Sequence, residues 1–318
     1  MLHLGVDEAG YGPHLGPLVI GVAAFRLLKE PPTGADLRER LKGLVSRTAG
    51  RRPGANGLPV PVDDSKEIHR RYGVPGLARG VGAFASAMGQ APPADLGDLL
   101  RRFTDRLPAE FHRMPWYDDL EATPVPTYPW TGPLDERFRR HGVEALDIRV
   151  LPVDAEELNE QFLEVGNKAR VLGLLSASLL LSVLDRYPGE DAEVVMDRHG
   201  GRLDYAPYLA NVFPFSRVDR RAAPRGEALY HVALPGRSLT VRFATRADEQ
   251  WLSVGWASMA AKLTRELFMD RLNTWFARRL PGVRPTAGYH PDGRRFLGDV
   301  RGILASEGID PSRLARAR

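Results

Sequence analysis

The sequence predicts an α/β chain built on a sheet of mixed strand direction with helices packed against it. Three observations lead there. Short apolar runs end in acidic residues: "LHLGVDEAGYGP" (2–13), "AEVVMDR" (192–198) and "LTVRFATRADE" (239–249). Longer stretches carry apolar residues at helical spacing, from about Ala155 to Arg186 and through "WLSVGWASMAAKLTRELFMDRLNTWF" (251–276). With 43% hydrophobic and 26% charged residues in 318, the chain also has ample material for a core. Its length predicts two domains, or one domain with large insertions.

Taken in order, Leu2 to Val6 reads as a first strand and "GPLVIGVAAF" (16–25) as a second, with "AGYGPHLGP" (9–17) as the turn between them. Residues 29 to 61 are rich in Pro, Gly and Arg around one helical stretch, "ADLRERLKGLVSR". After "VDDSKEIHRRYG" (62–73), the region from about 73 to 143 holds the Pro-aromatic pairs "MPWYDD" and "TYPWTGP". It reads as an inserted subdomain or lid rather than a core segment. "VEALDIRVLPV" (143–153) is a strand, and Asp154 is placed to cap one long helix that breaks at Tyr187-Pro188-Gly189. "AEVVMDR" is a buried strand ending at Asp197, and "LTVRFATRADE" one ending near Asp248. A strong amphipathic helix then opens a helical C-terminal part, from about 249 to 318. No internal repeat or low-complexity tract interrupts a single domain over 1–318.

Composition excludes several chemistries. The absence of cysteine removes disulfides, thiol catalysis and Cys-based zinc sites. No apolar run is long enough to span a bilayer, and the first residues lack a signal-peptide pattern, so the expectation is a cytoplasmic protein with no membrane partner. The net charge is +4 and the pI near 9.4, which fits an anionic partner such as nucleic acid. Of 44 basic residues only five are lysine (29, 42, 66, 168, 262), the remaining 39 arginine. Three of the five fall in "DDSKEI", "GNKARV" and "AAKLTR", where a compact point charge differs from a guanidinium.

The acids at strand ends carry the chemistry. Asp7 with Glu8 admits two readings: a hairpin turn opened by Asp, or a metal or acid/base site. Asp197 reads as a ligand or a cap, and Asp248, beside Glu249, as ligand, N-cap of the next helix, or both. Open α/β sheets place their sites at such strand ends. Four carboxylate ligands without cysteine suit a hard ion such as Mg²⁺ or Mn²⁺, and two ions about 4 Å apart serve displacement at phosphorus.

With their surroundings, these positions resemble the type 2 ribonuclease H family (ribonucleases HII and HIII). "GVDEAGYGPHLGPLVIG" is similar to the family's opening motif, "DDSK" (63–66) to its Asp-Ser-Lys motif, and "VVMDRHG" to its strand-end Asp. "SVGWASMAAKLTRE" resembles its Ala-Ser-Ile-x-Ala-Lys-Val-x-Arg helix, with Asp248 fourteen residues before Lys262. "TAGYH" (286–290) is similar to a Gly-Tyr segment whose tyrosine stacks on the sugar at the cleavage junction, and "ATRADEQWLSV" is closer to the type 3 branch. Asp7 lies too near Met1 for the extra N-terminal domain usual in that branch, and none is expected. The resemblance implies a ribonuclease-H-like fold, with catalytic and metal-binding roles for Asp7, Glu8, Asp197 and Asp248. It implies substrate-binding roles for Gly10, Tyr11, Gly12, Ser65, Lys66, Lys262 and Tyr289. Tyr11 stands where the family carries a basic residue.

The expected function is metal-dependent cleavage of the RNA strand of an RNA–DNA hybrid, or at ribonucleotides embedded in DNA, leaving 5′-phosphate and 3′-hydroxyl ends. The alternatives are a same-fold nuclease acting on another nucleic acid and a non-catalytic nucleic-acid-binding protein. Lys66 and Lys262 read as phosphate contacts or as solvated helix lysines. Asn167 and Lys168 read as near the site or as ordinary surface residues. Trp116, Tyr117, Tyr128 and Trp130 read as base-stacking groups or as staples of the insertion.

Overall fold

The computed structural model describes residues 1–28, 37–48, 58–127, 133–198, 202 and 204–317. Strands β1 (Leu2–Ala9) and β2 (Leu18–Leu27) open the chain. A one-turn helix α1 (Leu37–Arg40) and a short parallel pairing of β3 (Val45–Ser46) with β4 (Val60–Pro61) follow. Helices α2 (Ser65–Ala87), α3 (Leu96–Phe103) and α4 (Leu134–Arg140) lead to β5 (Val143–Val153). Then come α5 (Ala155–Val165), α6 (Lys168–Leu184), β6 (Ala192–Asp197) and α7 (Ala206–Val212). Strands β7 (Arg217–Arg221), β8 (Glu227–Leu234) and β9 (Arg237–Ala244) precede α8 (Ala247–Gln250) and α9 (Leu252–Arg279). Helices α10 (Asp292–Asp299) and α11 (Arg301–Ser306) follow.

Seven strands make one mixed sheet in the order β5-β2-β1-β6-β9-β8-β7. The centre, β1-β6-β9, is parallel, and both wings are antiparallel. This agrees with the expected fold class, helix-flanked mixed α/β. The register aligns Val6 with Met196 and Asp197 with Ala244, so the acids of β1 and β6 come level at the same end of neighbouring strands.

Alternation along β1 assigns its two faces. Leu2, Leu4 and Val6 join a cluster with Val171, Leu175 and Leu179 of α6. His3 and Gly5 meet α9 instead: the His3 Nε2 lies 2.9 Å from the Ser253 hydroxyl, and a Cβ on Gly5 would stand 2.2 Å from the Ser253 backbone. A side chain there would push α9 off the sheet. Trp256 of α9 anchors this side, fully buried among Phe25, Phe84 and Phe138 with its indole N–H donating to the Gly80 carbonyl at 3.0 Å. Truncating it to alanine would cost about 3–5 kcal/mol.

Three expectations need correction. Helix 155–186 is two helices, because Gly166 takes a left-handed conformation (φ 67°) and Asn167 caps a new helix by accepting from the Arg170 N–H. The helix at 251–276 is not amphipathic in its first half, where residues 252–265 are all buried. Apolar and small residues surround it because the sheet, α2 and the 111–117 segment cover every side. The described residues of 73–143 are not set apart from the core. Leu77, Phe84, Leu100, Phe111, Trp116 and Phe138 belong to the same cluster as Val19 and Phe25 of the sheet, and Trp116 stacks on Phe276 of α9. The Pro-aromatic segment at 115–117 marked an irregular backbone, but the rings of Trp116 and Tyr117 turn inward. Trp116 and Tyr117 are therefore unavailable for base stacking, while Tyr128 and Trp130 lie outside the described residues. Among the described residues no single helix is long and apolar enough to cross a membrane.

Candidate active site

All eleven residues expected from the sequence line one cleft of about 550 Å³: Asp7, Glu8, Gly10, Tyr11, Gly12, Ser65, Lys66, Asp197, Asp248, Lys262 and Tyr289. They come from six separate stretches of chain. The parallel pairing of β1 and β6 supplies Asp7, Glu8 and Asp197 at the sheet's end. Asp197 also accepts a long hydrogen bond (3.3 Å) from the Ala247 N–H, which ties β6 to the start of α8.

Asp248 does not end a strand and caps no helix. Strand β9 stops at Ala244, Arg246 turns the chain in a left-handed conformation (φ 54°), and Asp248 sits in the short helix α8. The turn carries its carboxylate back to the acids of β1 and β6. α9 follows directly, and its first residues lie against β1.

The N-terminus of α2 contributes Ser65 and Lys66. Asp64 caps that helix by accepting from the Lys66 N–H at 2.7 Å. Ser65 accepts a hydrogen bond from Ser258 of α9 (2.9 Å), and Ser258 also lies beside Asp7. Lys262, one turn along α9 from Ser258, is nearly buried and donates to Glu266 at 2.5 Å, so its charge is partly compensated. Asn167 and Lys168 lie outside this cleft. Asn167 is the α6 cap, and Lys168 donates to the Ala317 carbonyl at 2.6 Å.

Gly10 needs to be glycine. Its φ is 90°, and a Cβ would meet the Arg265 side chain and the Pro17 carbonyl at 2.8 Å each. Tyr11, by contrast, is 43% exposed on the cleft wall, and Tyr289 stands opposite in a segment strapped to the same loop, since the His14 and Leu15 N–H groups donate to the Gly288 carbonyl.

The carboxylates repel one another in a poorly solvated place. Burial, then Glu8 and Asp248, hold the Asp7 carboxyl well above its ordinary range. Burial and Asp197 push Glu8 up to about 7; burial, Asp64 and Asp197 push Asp248 up to about 6. Burial raises Asp197 as well. Burial pulls the Lys66 ammonium down, but Asp64, Asp248 and Asp7 together hold it above its usual value. One lysine thus faces four acids. Such a donor set fits a hard divalent cation in its chemistry. Yet among the described residues no three acidic or histidine side chains are already drawn together in metal-ligand geometry.

Arg246 and Ser258, which the sequence did not single out, also line the cleft, as do Asp64 of "DDSK" and Glu249 beside Asp248, to which no role was given. Ser258 was legible in one respect, because it lies four residues before Lys262 and so shares its helix face.

No family model matches the chain, and no curated protein does. Solved structures do. The chain is similar to ribonuclease HII of Archaeoglobus fulgidus from its complex with PCNA, at 17% identity over 100% of this chain and 95% of that one, with a TM-score of 0.42. It is similar to ribonuclease H2 of Pyrococcus horikoshii OT3, at 16% identity over 99% and 92%, TM-score 0.42. It is similar to Bst-RNase HIII in complex with Mn²⁺, at 14% identity over 99% and 66%, TM-score 0.42.

Proposed function

We propose that this protein is a metal-dependent endonuclease that cuts the RNA strand of RNA–DNA hybrids, or at ribonucleotides within DNA, leaving 5′-phosphate and 3′-hydroxyl ends. The observation that carries this reading is the meeting of the eleven motif residues in one cleft, with four mutually repelling carboxylates beside the single lysine Lys66. Asp7, Glu8, Asp197 and Asp248 would hold Mg²⁺ or Mn²⁺. When bound, a pair of such ions supplies Lewis acidity at a phosphate and lowers the pKa of a water.

The protein's own groups have separate tasks. Lys66, at the helix N-terminus, attracts a phosphate that the bare carboxylates would repel. Tyr289, nearly half exposed, offers a ring face to a sugar or base. The loop at Gly10 and Gly12 brings backbone rather than side chain against the substrate, with open space above Gly12.

The alternative reading is a nucleic-acid-binding protein that uses the same cleft without catalysis. Cleavage assays with Mg²⁺ and with Mn²⁺ separate the two, using a hybrid, a duplex with one ribonucleotide, and plain DNA. Cutting confined to the first two substrates, with 5′-phosphate products, is expected. Binding without cutting under every metal condition favours the second reading, and cutting of plain DNA sinks the substrate assignment.

A further inference from the structure

We propose that Arg316 is a positioning residue of the cleft: it pulls the Gly10 carbonyl inward and so aims the Tyr11 N–H outward, as a donor to an oxygen of a nucleic-acid backbone. The proposal rests on the nuclease reading above and adds to it a residue far from the motifs in sequence.

Arg316 is 5% exposed. Its guanidinium donates to the Gly10 carbonyl through Nη1 and to the Gly16 carbonyl through Nε (2.8 Å) and Nη2. It therefore clamps the loop at two points six residues apart. Beside it the buried Arg265 donates to the carbonyls of Leu15 (3.1 Å), Pro17 and Ala287 (3.2 Å). Among the described residues no carboxylate pairs with either guanidinium: both donate to backbone oxygens alone, and the buried Arg265 Nε has no partner.

The consequence follows from peptide planarity. In a trans peptide the carbonyl of one residue and the N–H of the next point in opposite directions. The bond between Gly10 and Tyr11 is trans. With the Gly10 oxygen held against buried Arg316, the Tyr11 N–H points the other way, toward the side on which Gly10, Tyr11 and Gly12 line the cleft. Among the described residues that N–H donates to no protein acceptor. A free donor beside four carboxylates suits a phosphate oxygen or a sugar hydroxyl of the substrate.

The segment carrying Arg316 is itself pinned. The Arg316 N–H donates to the His14 carbonyl (2.9 Å), and Asn159 of α5 donates to the Ser312 and Ala315 carbonyls (2.9 Å each) while accepting from the Ala317 N–H (2.6 Å). Asn159 touches neither the loop nor the cleft, which makes it an independent handle.

The test uses the full chain in EDTA, with binding to a duplex carrying one ribonucleotide and to the all-DNA duplex of the same sequence, each across a salt series. Arg316→Gln should weaken binding about tenfold, the size of one lost hydrogen bond, with an unchanged salt slope, because the buried guanidinium releases no counterion. A loss confined to the ribonucleotide duplex identifies a sugar hydroxyl as the acceptor; an equal loss on both identifies a phosphate oxygen. Guanidinium ion should restore binding to Arg316→Ala, while sodium chloride at the same ionic strength should not. Should Arg316→Gln lose cooperative unfolding, Asn159→Ala decides, with the same loss expected on a smaller scale. Unchanged affinities with only a lowered melting point overturn the proposal. So does a salt slope reduced by about one, which would mean that the guanidinium meets phosphate directly. A wild-type protein that binds neither duplex removes the nuclease reading and this proposal with it. Wild-type binding that the variants leave intact removes only the role of Arg316.

Discussion

Two groups of like charges lie on either side of the Gly10–Gly16 loop, and they are handled in opposite ways. In the cleft, Asp7, Glu8, Asp197 and Asp248 have few donors and one nearby lysine, and each carboxyl is held above its ordinary pKa. Beneath the loop, Arg265 and Arg316 are more deeply buried but spend their donors on backbone carbonyls. The carboxylates line a cleft and lack the donors that would offset their mutual repulsion. The guanidiniums donate inward to backbone carbonyls and hold that backbone in place. A cluster of charge is a site only where its partners are missing.

The largest expected effect separates the two groups by activity. Asp7→Asn or Asp197→Asn should lower cleavage by about a hundredfold or more without lowering the metal-free melting temperature at pH 8. Wild-type rates from both variants would break the assignment of the cleft.

Arg265→Met should act the other way, on stability. It strips donors from three buried carbonyls, which costs about 2–3 kcal/mol or more, read as a lower denaturant midpoint at constant slope. An unchanged midpoint would mean that those carbonyls find other donors.

The pH response sharpens the contrast. A carboxyl whose pKa is raised on folding binds its proton more tightly in the folded state. Its contribution is complete below the unfolded pKa and is lost as pH rises through the folded one. For Glu8 and Asp248 that window runs from the ordinary carboxylate range up to about 7 and about 6 respectively. Metal-free protein should therefore lose on the order of 2 kcal/mol of stability across it, and Glu8→Gln should flatten the curve. A flat wild-type curve, measured by urea unfolding in EDTA, would refute the electrostatic account.

Mg²⁺ or Mn²⁺ should then raise the melting temperature by binding only the folded state, and raise it less in Asp7→Asn. Equal shifts in both proteins would place the ions elsewhere. The smallest effect belongs to Tyr11, which is 43% exposed. Tyr11→Arg should steepen the salt dependence of hybrid binding by about one phosphate contact; an unchanged slope with a lowered melting point would mean that Tyr11 faces the protein rather than substrate.

Local pattern made β1, β2, β5, β6 and β9 readable, whereas β7 and β8 were not expected. "VEALDIRVLPV" is β5 residue for residue, and the apolar runs around Gly5 and Val195 are the paired central strands, because a strand buried on both faces must be apolar throughout. The motif residues were readable too, since their spacing along the chain is a covalent fact. Three things were decided only by the tertiary structure. Whether the long apolar stretch at 155–186 stayed one helix depended on a single left-handed Gly166. Whether the Pro-aromatic segment at 115–117 became lid or core depended on Phe268, Trp275 and Phe276 of α9, whose rings Trp116 and Tyr117 meet. That Arg316 serves a loop some three hundred residues earlier depended on the fold closing the chain upon itself. Such a contact leaves no periodicity and no motif, since its partners are backbone carbonyls, which every residue has.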